Sequence, residues 1–176
     1  GAVNRATSES GVTGIVDENV AAGTAMTASV TAGTVVVNGT SISVETTADA
    51  TSSRAAVVSA INAQSGLTGV TAVDSGDDAL GVSLVAADGR NIATSFTGTL
   101  TAESTGLGAA GTKTGGFTLV ASGDTREINI SGANLSNAGL VSGTFTAGVS
   151  GVSSTARVAD AFQAATAAVT TGTVAF

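Results

Sequence analysis

The 176-residue chain carries a formal net charge of −7, is 43% hydrophobic, and contains neither His nor Cys. Six scattered Lys and Arg cannot neutralise a phosphate backbone, so the charge disfavours nucleic acid and none is expected as a partner. Without His or Cys there is no Ser-His-Asp or Cys-His nucleophile system, no His- or thiolate-based metal site and no disulfide.

In chain order, Ala2–Ser10 is expected to be a short helix, followed by a strand over Val12–Val16 and a return strand over Ala25–Val30. Such a short helix needs tertiary packing to persist. Thr34-Val35-Val36-Val37 and Thr40-Ser41-Ile42-Ser43-Val44-Glu45 flank Asn38-Gly39. Asn-Gly between β-branched runs is a strong hairpin signal, because both turn residues tolerate positive φ. Ile42 and Val44 alternate with polar residues, so one face is buried and the other wet. A helix follows, with Thr51 or Ser52 as cap, Val57, Val58 and Ile61 as apolar stripe, and Gly66 as left-handed terminator. Val70–Val73 reads as a strand, Ser75-Gly76-Asp77-Asp78 as a turn, and Leu80, Val82 and Leu84 as an alternating strand closed by Asp88-Gly89. One hairpin–helix–hairpin unit thus runs from about Gly33 to Thr94.

Gly106–Gly116 reads as a flexible connector. Beyond it, Phe117–Ala121 and Glu127–Ser131 around Ser122-Gly123-Asp124 suggest a second hairpin, and Gly143–Ala147 a further strand. A last helix, capped by Ser153 or Ser154, would bury Val158, Phe162, Ala165 and Val169 as one seam. Phe162→Ala there would cost about 3–5 kcal/mol. The stretch Ala2–Ile15 also repeats loosely as Ala60–Val73 at an offset of 58 positions, with Ala, Asn, Gly, Val and Thr recurring in step. That spacing is longer than most solenoid repeats and implies two related modules.

Chemistry is sparse. The densest acidic group is Asp74, Asp77 and Asp78. Hard oxygen ligands of this kind suit Ca²⁺, whereas a solvated turn with side-chain-to-backbone bonds explains them more simply. Asp88-Gly89-Arg90-Asn91 reads as a turn with a local ion pair. Gly106-Leu107-Gly108-Ala109-Ala110-Gly111 imitates a dinucleotide-binding glycine pattern, but no strand leads in and Gly115-Gly116 follows in place of a helix. Asn38-Gly39-Thr40, Asn129-Ile130-Ser131 and Asn134-Leu135-Ser136 are glycosylation sequons by letter only. No catalytic residue, cofactor or metal is therefore assigned. No run of about 18 apolar residues offers a membrane span. No charged-then-apolar stretch opens the sequence. The absence of Cys fits any compartment, and is consistent with a secreted bacterial surface protein that must stay unfolded during export.

Val35-Val36-Val37-Asn38-Gly39-Thr40, Ala60-Ile61-Asn62-Ala63, Gly69-Val70-Thr71-Ala72, and Gly81-Val82-Ser83-Leu84 leading to Asp88-Gly89-Arg90-Asn91-Ile92 together resemble the insertion module of bacterial flagellins and hook-associated proteins. Ala2–Val30 resembles the latter half of the same module, and Phe117–Ile130 is similar to the sheet that usually follows it. Flagellins also carry long terminal coiled-coil helices, and no sustained heptad pattern is present here.

The resemblance implies the excised variable outer region of a filament subunit, extracellular and non-enzymatic. Its partners would be neighbouring flagellin subunits through the wider chain, with host receptors or antibodies as candidate binders, and the fragment alone is expected to be monomeric. The expected fold is α+β. Two small lobes of twisted antiparallel sheet each carry a helix on one face, in ββαββ-type units. Residues 33–97 would form the insertion module, and 1–32 plus 98–176 a discontinuous inner lobe. A cell-surface adhesin or glycan-binding module is the alternative of a different class, and a carboxylate-only hydrolase a third.

Overall fold

The computed structural model describes residues 2–121, 127–138, 140–146 and 155–158. The fold is α+β, built mostly from antiparallel sheets with few helices. The chain divides into a middle unit, Glu18–Gly115, and a flanking unit made of Gly1–Asp17 with Gly116–Phe176. These borders fall at 17/18 and 115/116, not at 32/33 and 97/98 as the sequence reading placed them. The reason is strand pairing, which draws 18–32 and 98–115 into the middle unit.

In the middle unit, β2 (Asn19–Ala21), β6 (Val82–Ala86) and β5 (Thr71–Asp74) form one antiparallel sheet in the order β2-β6-β5. A second sheet has the order β4-β3-β7-β8, from Thr40–Glu45, Ala32–Val37, Ile92–Gly98 and Gly111–Lys113. The β3–β4 hairpin turns at Asn38 (φ 48°) and Gly39 (φ 83°), the paired positive values of a turn whose twist matches its strands. Helix α3 (Ala50–Asn62) packs on both sheets. Asp49 caps it, not Thr51 or Ser52, because the Asp49 Oδ1 accepts the Ser52 N–H at 2.7 Å.

The stripe of the helix works as expected. Val57 and Ile61 are fully buried against Val35, Val37, Val70, Val82, Leu84, Ile92, Leu100 and Leu107, with Val58 packed at the margin. Each fully buried Val or Ile contributes about 1.5–3 kcal/mol. Gly66 does not end the helix. It lies inside a further turn, α4 (Ser65–Thr68), and Gly69 at φ 68° is the left-handed terminator. Leu80 is exposed and precedes the strand it was expected to join.

Ala25–Val30 does not form a strand. The N–H groups of Thr24, Met26 and Thr27 bond to the carbonyls of Gly106, Asp78 and Glu103, so no ladder is left for this segment to join. The Gly-rich segment is equally far from a flexible connector. Gly106 caps α5 (Ala102–Thr105), its carbonyl accepts N–H groups from Thr24 (3.1 Å) and Val82 (2.8 Å), and Leu107 is fully buried.

In the flanking unit, α1 (Ala2–Arg5) and α2 (Thr7–Ser10) replace one continuous helix and lead into β1 (Val12–Val16). β1 pairs antiparallel with β9 (Phe117–Ala121), whose other neighbour is β12 (Thr155–Val158). β10 (Glu127–Ile130) pairs with β11 (Gly143–Thr146). Phe117–Ala121 and Glu127–Ile130 are therefore not partners in a hairpin, since each finds its ladder elsewhere. A 3₁₀ turn over Leu135–Ala138 lies between β10 and β11. Val12, Leu119, Ala121 and Ile128 make the core of this unit, lined by Phe117 and Phe145. Val158 lies on strand β12, not at the start of a helix. Phe162, Ala165 and Val169 lie outside the described residues, as do Ser153, Ser154 and the turn at Ser122-Gly123-Asp124.

Candidate functional site

Among the described residues, two constellations gather side-chain chemistry. The first surrounds Arg54, which α3 carries on its buried face at 3% exposure. Its Nε donates to Asp74 Oδ1 at 2.8 Å, its Nη1 pairs with Asp78, and its Nη2 donates to Thr51 Oγ1 at 3.3 Å. Asp74 also accepts the Gly76 N–H (2.9 Å), and Asp77 accepts that of Ala79 (2.8 Å). The three carboxylates singled out as a candidate cation site are thus divided between a guanidinium and the turn backbone. Among the described residues no group of three or more acidic side chains could hold a metal ion. The sequence reading missed Arg54, whose partners lie 20 and 24 positions away, so no local spacing marks it.

The second constellation is Arg90. Its Nε and Nη2 grip Asp88 at 2.8 and 2.6 Å, and its Nη1 donates to the Thr68 carbonyl at 3.2 Å. The local pair expected at Asp88-Gly89-Arg90 is present, and it is half-exposed. The Arg90 side-chain hydrogen bond and its backbone N–H hold the Asp88 carboxyl below the usual 3.8, and Asp88 in turn raises the Arg90 value. The Arg90 guanidinium covers Gly69, where any Cβ would strike it.

The sequon asparagines differ. The Asn38 amide donates to Thr68 O (3.0 Å) and accepts from Ala93 N (2.8 Å), so its nitrogen is committed to the fold. Asn129 is exposed on β10, and Asn134 is exposed with φ 58°.

The sequence repeat has a structural counterpart. The Asn62 amide grips Ala72 by both backbone groups, accepting its N–H at 2.7 Å and donating to its carbonyl at 3.0 Å. Asn4 does the same to Gly14, at 2.7 and 2.9 Å. Gly11 (φ 67°) and Gly69 (φ 68°) end the short second helices, each with its N–H on the residue four back at 2.8 Å. The duplication extends into the partner strands: Ala72 faces Leu84 in Val82-Ser83-Leu84-Val85-Ala86, and Gly14 faces Leu119 in Phe117-Thr118-Leu119-Val120-Ala121. The shared Leu-Val-Ala of β6 and β9 was the overlooked sequence signal.

Among the described residues no buried side-chain polar atom lacks a hydrogen-bond partner, so none points into a space that a ligand would satisfy. No helix among them is long and apolar enough to cross a membrane. Both arginine constellations tie a turn to its neighbouring elements. Comparison with protein-family models, curated proteins and solved structures finds no match to this chain.

Proposed function

We propose that the chain is a structural, surface-exposed outer domain of a bacterial flagellar filament subunit. It sets the surface properties and antigenicity of the filament and the contacts between neighbouring subunits. The observation that carries this reading is the hairpin–helix–strand unit from Ala32 to Gly98, whose Asn-Gly turn, Ala-Ile-Asn helix end and Gly-Val-Thr strand entry are the residues that resemble the flagellin insertion module. The absence of His and Cys and the net charge of −7 fit an inert, soluble surface held at high local density. On this reading the chain is secreted, binds no cofactor, catalyses nothing, and meets its partners as part of a longer subunit.

An adhesin that stacks sugars needs exposed aromatic rings. Among the described residues the phenylalanines, Phe96, Phe117 and Phe145, are packed partly buried against the two cores and offer no such ring there. Immunogold electron microscopy with antibodies raised against the chain, applied to the bacterium that encodes it, tests the proposal. Label along the length of the flagella is expected. Label confined to the cell body or to other surface fibres refutes it.

A further inference from the structure

Each unit contains a strand at the edge of its sheet that ought to be open: β1 in the order β1-β9-β12, and β5 in the order β2-β6-β5. An edge strand offers unpaired N–H and C=O groups to any passing chain and is a ready template for intermolecular pairing. In both units groups in the first half of that edge are taken by side chains from the helical turn just upstream. On β1, Gly14 is gripped by Asn4, the Val12 N–H by Ser10 Oγ (3.2 Å), and the Val12 carbonyl by Thr7 Oγ1 (2.9 Å). On the β5 side, Ala72 is gripped by Asn62, and the Thr68 hydroxyl serves both the N–H (3.1 Å) and the carbonyl (3.2 Å) of Val70. A primary amide offers one donor and one acceptor side by side, the same pair that a facing strand residue presents. The two asparagines occupy equivalent positions of the repeat, so the device occurs twice.

We propose that Asn4 and Asn62 act as edge plugs: each amide stands in for the missing strand and keeps β1 or β5 from pairing with a strand of a second copy of this chain. A helix-to-strand staple alone would require only some contact at these positions. The plug reading explains why both backbone groups of the central outward-facing residue are engaged in each case. Thr71 and Val73, which flank Ala72, are exposed, so a substitution at Val73 is made on the solvent-facing side of the strand. The inference does not depend on the flagellar proposal, since it concerns only the sheet edges.

The test is sedimentation velocity on the full 176-residue chain, wild type against Asn62→Ala, with far-UV circular dichroism to establish folding. Wild type should stay at 16.6 kDa. Asn62→Ala should associate as concentration rises from about 10 μM to about 1 mM, the range over which exposed strand edges aggregate. Its association constant should exceed that of wild type at least tenfold. Adding Val73→Lys should restore the monomer without restoring thermal stability, because a lysine on the edge strand opposes pairing. If Asn62→Ala does not fold, Asn4→Ala in the other unit, read the same way, decides. A folded Asn62→Ala or Asn4→Ala chain that stays monomeric over this range overturns the proposal, as does association of Asn62→Ala that Val73→Lys fails to reverse.

Discussion

Leu107→Ala separates a packed Gly-rich segment from a linker. Leu107 has no exposed surface and belongs to the core that Val57 and Ile61 line from α3. Removing a buried Leu side chain to Cβ costs about 2–5 kcal/mol, and the figure rises with the volume the surroundings cannot reclaim. Collapse is poor here. The preceding carbonyl, Gly106, is held by the N–H groups of Thr24 and Val82, and the Leu107 N–H bonds to Thr105 Oγ1 at 3.4 Å. The upper half of the range, about 3–5 kcal/mol, is therefore expected. For a unit of roughly 100 residues this lowers the melting temperature by on the order of 15–25 °C. Differential scanning calorimetry is the suitable assay, because the chain has no Trp or Tyr to report by fluorescence. Leu67→Ala, at a side chain 74% exposed, is the control and should stay within about 0.5 kcal/mol of wild type. A loss below about 1 kcal/mol for Leu107→Ala would show that the segment is not core and refute the reasoning.

Three more outcomes are expected. Gly69→Ala should destabilise by at least about 1–2 kcal/mol, because a Cβ at positive φ is strained and would also displace the Arg90 guanidinium. Gly66→Ala, with open space and a helical backbone, should be neutral or stabilising by about 0.5–1 kcal/mol; urea melts of the two variants read the difference. The Asp74→Asn/Asp78→Asn double variant strands a buried cation and should lose up to about 3–5 kcal/mol, more than Arg54→Met, which leaves two carboxylates free to hydrate. Equal losses in chemical denaturation would refute that order. The Ser52 hydroxyl and backbone N–H hold the Asp49 carboxyl below its ordinary 3.8, so the cap stabilises above that pH and its contribution is lost as pH falls through the lowered value. The difference in melting temperature between wild type and Asp49→Asn should therefore be present at neutral pH and shrink on acidification below about 4. A difference that grows on acidification would contradict the assignment.

Elements whose signals are local were legible in the chain. Asn38-Gly39 specifies its turn through two positive φ values, and the alternation at Ile42 and Val44 specifies which face of β4 is buried. The cap was misplaced by a few positions because Asp49, Thr51 and Ser52 are all good caps, and only the chain's entry direction selects among them. The fate of Ala25–Val30 was not legible, since its donors bond to the carbonyls of Asp78, Glu103 and, just ahead of it, Gly106. The partners of Phe117–Ala121 were hidden for the same reason, with β1 lying more than a hundred residues upstream.

What the sequence by itself determined is chemical poverty, turn positions and the duplicated helix-to-strand unit, all properties of residue identity and short spacing. Tertiary structure alone decided that a guanidinium sits where a cation might have been sought, that Leu107 of the Gly-rich stretch is core, and that two asparagines close two sheet edges. Those outcomes depend on hydrogen bonds and burial between residues that only folding brings together. The asparagines span the two cases: their repeat was visible as letters, but their work on Gly14 and Ala72 was not.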